Sequence, residues 1–230
     1  LEQTGYTGDP GHNMFTGSWF YDYPVFGDNK NEINAENMAK NLLECLSMAK
    51  LGDVDLVTES FGGIIGAYAT CDPRINKVYA VHPPITGTPL ADPIKMSKYR
   101  EMFTKTEKLM LLAIRKLINT NYGFEKENAS GAILGYTDLN KLLVIGSSLN
   151  PETDKNGVAK ALYEMILKYT GHKSDGVVIF DEDQFDRLGI DYLKEPEQLN
   201  HFDAGSETHL SEIKALVESE SKSFTIQPQK

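Results

Sequence analysis

Apolar positions along this chain of 230 residues follow two rhythms, one suited to strands and the other to helices. Residues 18–23 gather Trp19, Phe20, Tyr21 and Tyr23 into a β-favouring run closed by Pro24, which predicts a strand. A Gly-Asp-Asn turn comes next. Over residues 32–49, Ile33, Met38, Leu42, Leu43, Leu46 and Met48 recur near helical spacing, with Lys50 and Gly52 as stop signals. Val54, Leu56 and Val57 predict a short strand over 53–58, a helix over 62–69 follows at once, and 77–81 is the next strand. Farther on, 142–146 reads as a strand, 158–169 as a helix, 177–180 as a strand and 209–220 as a terminal helix. The tail from Ser221 reads as a frayed end or an edge strand.

Alternating strands and helices imply a mostly parallel sheet covered by helices on both faces, because parallel neighbours need crossover connections. Such sheets place chemistry at the carboxyl ends of their strands. The segment between the strands at 77 and 142 is too long for one crossover. Its helical stretch, 94–119, packs Leu109, Met110, Leu111, Leu112, Ala113, Ile114, Leu117 and Ile118 at one end. Two readings stay open for it: an ordinary core helix, or a cap whose apolar face meets a greasy substrate. The expected organisation is one α/β domain over 1–230 with 93–140 as a cap insertion.

With 40% apolar residues, a chain of this length can bury one substantial core. Its formal charge of −10 argues against a nucleic-acid partner, since phosphate binding needs clustered Lys and Arg, and an anionic bilayer would repel it. No window approaches the roughly 20 apolar residues of a membrane span, and no leader pattern is visible, so a soluble chain is expected. Cys45 and Cys71 match neither a metal knuckle nor a redox pair and are expected as two unbridged thiols.

Thr58-Glu59-Ser60-Phe61-Gly62-Gly63 lies where a predicted strand meets a predicted helix. A nucleophile elbow needs that junction: the sharp turn lifts the serine oxygen above the sheet, and crowding calls for small residues two positions to either side. Gly62 meets the demand, whereas Thr58 replaces the usual glycine. A helix cap by Ser60 or Thr58 is the plainer alternative. Together with Asp55, Leu56 and Val57, the segment resembles the elbow of bacterial triacylglycerol lipases and carboxylesterases of the α/β-hydrolase superfamily. Three further blocks resemble that family in the same order: residues 82–92, beginning His82-Pro83-Pro84, 174–178 around Asp175, and 199–203 around His201.

The resemblance implies the α/β-hydrolase fold and ester cleavage through an acyl-serine, with Ser60, Asp175 and His201 as the catalytic triad in the chain order of that fold. It implies a small-molecule ester or lipid substrate, lipid-interface contact through the cap, and no cofactor. A structural calcium is known in some such lipases, but no dedicated oxygen cluster is evident, and Asp181-Glu182-Asp183 reads as a solvated turn. Rivals remain: Asp154 and Asp181 for the acid; His209, His82 and His172 for the base. His82 reads as a residue lining the site, His209 as the start of a helix, and His172 as solvated. One oxyanion donor is expected from the Phe61 backbone N–H, and a second from Tyr6 or from residues 8–13. An acyltransferase or thioesterase using the same triad is the first alternative, and a non-catalytic binding relative the second. The compartment stays open between secreted and cytoplasmic, with the resemblance leaning towards secreted.

Overall fold

The computed structural model describes residues 6–8, 19–21, 35–90, 136–195, 199–203, 209, 212, 213, 215 and 216. Its elements run β1 (Tyr6–Gly8), β2 (Trp19–Tyr21), α1 (Ala35–Met48), β3 (Val54–Glu59), α2 (Gly62–Ala69), β4 (Ile75–Val81), β5 (Leu142–Gly146), α3 (Gly157–Thr170), α4 (Glu182–Leu188) and β6 (Asp191–Lys194). A 3-10 turn, Leu139–Lys141, leads into β5 with Asp138 as its cap.

Four strands form one parallel sheet in the order β3-β4-β5-β6. The sequence of β5, Leu-Leu-Val-Ile-Gly, is apolar throughout and every residue is buried, as a strand covered on both faces requires. Alternate residues along β4 and β5 divide between two cores. Val78, Ala80, Leu142 and Val144 join Met38, Leu42 and Leu46 of α1, Ile64 and Ile65 of α2, and Phe185 of α4. On the opposite face Tyr79, Val81, Leu143 and Ile145 pack with Ile213. The predicted strand at 18–23 is present as Trp19–Tyr21 but pairs antiparallel with Tyr6–Gly8 in a separate two-stranded sheet.

The fourth parallel strand departs from expectation. Residues 177–180 are no strand, because the N–H groups of Val177 and Val178 are both taken by Asp175 Oδ1, at 2.8 and 2.6 Å, and cannot enter a ladder. The apolar side chains there pack inward instead: Val177 and Ile179 lie against Leu90 and the Leu162, Met165 and Ile166 face of α3. The strand that pairs with β5 is Asp-Tyr-Leu-Lys, whose charged, mostly exposed residues give no apolar alternation to read. Nearly all of the predicted 93–140 cap, and the whole helix at 94–119, lies outside the described residues. Cys45 is buried in α1, Cys71 is exposed just beyond α2, and both are free.

Helix α2 is apolar all round and lies close on β3 and β4, and glycine makes that approach possible. A Cβ at Gly66 would come within 2.7 Å of Val78 Cγ1 and 3.1 Å of Thr58 Cγ2. One at Gly63 would lie 2.4 Å from Pro83 Cβ and 3.2 Å from Ala80 Cβ, whereas one at Gly62 meets only Thr58 Cβ at 3.6 Å. Gly63→Ala is therefore expected to cost about 1–3 kcal/mol of stability, and Gly62→Ala to stay within about 0.5 kcal/mol of wild type. Urea unfolding of the two variants checks the contrast; equal midpoints would contradict this packing.

Candidate functional site

Strand β3 ends at Glu59, and Ser60 continues its ladder by one bond, its N–H donating to Val81 O at 2.9 Å. The backbone then turns sharply: Ser60 has φ 50°, in the left-handed region, and Phe61 enters the right-handed helix that becomes α2. A non-glycine residue held there costs on the order of 1–2 kcal/mol and persists where its surroundings leave no alternative. Thr58 fits two residues before Ser60 because the helix supplies the missing space at Gly62 and Gly66.

Three of the predicted residues meet at this turn. Ser60 Oγ lies 2.8 Å from His201 Nε2, and His201 Nδ1 lies 2.8 Å from Asp175 Oδ2. An ionised carboxylate only accepts, so His201 Nδ1–H donates to Asp175, and Nε2 is left to accept from the Ser60 hydroxyl. The loops holding these groups are bonded to each other: the His201 N–H donates to Asp175 O at 2.9 Å. Asn200, just before His201, accepts from the N–H groups of Phe202 and Asp203 and donates to Asp154 Oδ2 at 2.7 Å. Asp154 thus anchors the His201 loop, and the carboxylate that touches the imidazole is that of Asp175. Asp181 caps α4, accepting from Gln184 N–H at 3.1 Å. His172 is exposed.

Behind Asp175 the sequence gives little warning of what is present. His82 follows β4 directly, also extends the ladder by one bond, to Ile145 O at 2.7 Å, and also turns left-handed, with φ 47°. Its ring is buried, with Nδ1 2.7 Å from Asp175 Oδ2 and Nε2 2.8 Å from Glu195 Oε2. Glu195 follows β6 in the same way, its N–H donating to Gly146 O at 3.0 Å. On its other side Glu195 Oε1 stands 2.8 Å from His209 Nε2. His82 and His209, read from sequence as a lining residue and a helix start, are thus buried partners of carboxylates, and no local pattern marks Glu195 as the carboxylate they share. The available signal for His82 was a polar residue directly after an apolar strand and followed by proline, His82-Pro83.

These contacts set the charges. Burial pushes the Asp175 carboxyl up, but the charge and hydrogen bond of His201 and the hydrogen bond of His82 outweigh it and hold it below the ordinary range. Burial likewise raises Glu195, and its contacts with His209 and His82 bring it down to about 2. For His82 burial favours the neutral ring, but the bonds to Asp175 and Glu195 and their charges prevail, and it is pushed up to about 9.

His82, Asp175 and His201 are also the one set of donors among the described residues close enough together to hold a metal. The spacing suits hydrogen bonds instead. Tetrahedral zinc with ligands at about 2.0–2.2 Å keeps neighbouring donors about 3.3 Å apart, wider than the 2.7 and 2.8 Å here. Tyr6, the expected second oxyanion donor, opens strand β1 opposite Tyr21, and Phe61 stands at the head of α2.

No protein-family profile matches the chain, and no curated protein sequence does. Solved structures do. The metagenomic carboxyl esterase MGS0156 is similar with a TM-score of 0.52 at 17% identity, over 84% of this chain and 64% of that one. The chain has the α/β-hydrolase fold. The mature form of the lipase BlEst2 from Bacillus licheniformis is similar with a TM-score of 0.47 at 16% identity, over 79% of this chain and 72% of that one. MGS-MChE2, an α/β-hydrolase enzyme from a lagoon-sediment metagenome, gives 0.44 at 18%, over 89% and 77%. Residues 58–63 make a strand-to-helix turn with a left-handed serine at its apex. Among the described residues no helix is long and apolar enough to cross a membrane.

The charges of this site make stability depend on pH. His82, raised from 6.5 to about 9, contributes stability that is complete below 6.5 and is lost as pH rises through 9. Glu195, lowered from 4.5 to about 2, contributes above 4.5 and loses its share as pH falls through 2. Stability should therefore be greatest between those limits, and the alkaline loss should reach about 3 kcal/mol. Urea midpoints measured at about pH 6 and about pH 9.5 check it; a flat profile would contradict the assigned charge on His82.

Proposed function

We propose that the chain is a serine hydrolase that cleaves carboxylic esters, with Ser60 as nucleophile, His201 as general base and acid, and Asp175 as the group that orients and stabilises His201. The observation that carries this reading is the continuous path from Ser60 Oγ to His201 Nε2 and from His201 Nδ1 to Asp175 Oδ2, each step 2.8 Å. A serine hydroxyl is a poor nucleophile at neutral pH and needs a base within hydrogen-bond reach. Ser60 has one, on a backbone turn that presents it beyond the strand end.

In this scheme Ser60 Oγ attacks the ester carbonyl while its proton passes to His201 Nε2. The resulting imidazolium faces the Asp175 carboxylate, and the Phe61 N–H at the positive end of α2 faces the developing oxyanion. Tyr6 N–H is the proposed second donor. His201 returns the proton to the departing alcohol, which leaves acyl-Ser60. Water then attacks the acyl carbonyl as His201 Nε2 takes its proton; the bond to Ser60 Oγ breaks, His201 returns the proton to that oxygen, and the acid is released. In the same reading the apolar run between 109 and 118 belongs to a cap that receives the acyl chain of a small ester or lipid.

Ser60→Ala is expected to lower kcat on short p-nitrophenyl esters by at least about 10⁴-fold without moving the unfolding midpoint. Retained turnover in that variant would end the proposal. A chain-length series on wild type separates lipase-like from short-ester activity, and turnover of acyl-CoA in place of esters would assign the thioesterase alternative instead.

A further inference from the structure

A nitrogen held at hydrogen-bonding distance from an ionised carboxylate must carry the proton, because the carboxylate has none to give. Both ring nitrogens of His82 are in that position, one against Asp175 and the other against Glu195. His82 is buried, and both carboxylates are buried with it. Two carboxylates enclosed together without a cation between them would repel each other and lose hydration without compensation. Proton transfer between Ser60 and His201 does not pass through this ring, yet the ring shares the Asp175 oxygen that His201 uses.

We propose that His82 is a positioning residue for the hydrolytic reaction, a buried imidazolium clamped between Asp175 and Glu195 that fixes the Asp175 carboxylate and offsets the negative charge facing His201. The inference rests on the proposed roles of Ser60, His201 and Asp175. With one lone pair of Oδ2 directed to His82 and Oδ1 held by two backbone N–H groups, the carboxylate cannot rotate away from His201. The groups around the His82 ring are Asp175, Glu195, the His201 ring at 6.3 Å, the His209 ring at 6.4 Å and the Ser147 hydroxyl, 3.5 Å from Glu195 Oε2. Glu212 lies beyond His209, with 3.9 Å from Oε2 to His209 Nδ1. His82 is thus the cation that stands between the two buried carboxylates. Without it, the uncompensated pair would make the potential at the base more negative, and the base would then keep its proton to higher pH.

The test is the pH profile of kcat/KM for wild type and His82→Gln, with labelling of Ser60 by a fluorophosphonate as the control. In His82→Gln, kcat should fall on the order of tenfold with little change in KM. Its acid limb should move up by about one pH unit. A packing role alone would lower the amount of active enzyme and leave the limb where it is, so an unmoved limb in an active variant overturns the inference. A wild type that neither hydrolyses esters nor labels at Ser60 removes the underlying reading instead, and the inference with it. Since losing a buried cation threatens folding, a second measurement uses wild type alone: nitrogen NMR of the histidine rings. Protons on both His82 nitrogens at about pH 7.5, with the second lost at lower pH in Glu195→Gln, support the inference. A bare ring nitrogen on His82 at that pH overturns it.

Discussion

Asp175 is the group on which the rest of the site depends. Its carboxylate is almost wholly out of water, a position that costs several kcal/mol unless every lone pair is answered. All of them are: Val177 and Val178 N–H groups bond one oxygen, and His82 and His201 bond the other. Each bond also fixes something else. The two backbone contacts bend residues 175–178 out of strand conformation, the His201 contact brings in a loop from the far end of the chain, and the His82 contact ties the carboxylate to the end of β4.

The sheet supplies the common geometry. Ser60, His82 and Glu195 each follow the last residue of a parallel strand, and each uses its own N–H to add one more bond to the neighbouring strand. Their backbones are therefore held at spacings set by the ladder before any side chain is considered. Ser147 occupies the same position after β5. Four consecutive strands thus deliver polar residues to one edge of the sheet, and the loops carrying Asp175 and His201 close over them. Parallel strands make this possible because all their carboxyl ends point the same way.

Burying several charges together is not in itself a source of stability, since desolvation of each group offsets much of the mutual attraction. What such an arrangement provides is one conformation. A carboxylate facing only solvent and one imidazole can rotate; one bonded on four sides cannot. The left-handed backbones at Ser60 and His82 belong to the same picture. Each stores strain that the ladder bonds before it and the packing of Gly63 and Gly66 after it hold in place.

Much of this was legible in the chain itself. The helices at Ala35–Met48, Gly62–Ala69 and Gly157–Thr170 and the strand at Leu142–Gly146 follow from apolar period and, for the first, from the stop signals Lys50 and Gly52, because those patterns report neighbours a few residues apart. The strand-to-helix turn at Ser60 was likewise visible as a local motif. Strand β6 was not, since an edge strand of Asp-Tyr-Leu-Lys has no buried alternation. Nor could local pattern choose Asp175 over Asp154, or bring His82 and Glu195 behind the acid. Those partners lie 93 and 113 residues apart in sequence for the two His82 contacts, and 141 for Ser60 and His201. The sequence by itself determined the larger helices, the inner strands and the turn that carries Ser60. Only the tertiary structure decided which carboxylate reaches which ring, because contacts at that range are set by strand order and register, and no short period in the sequence encodes them.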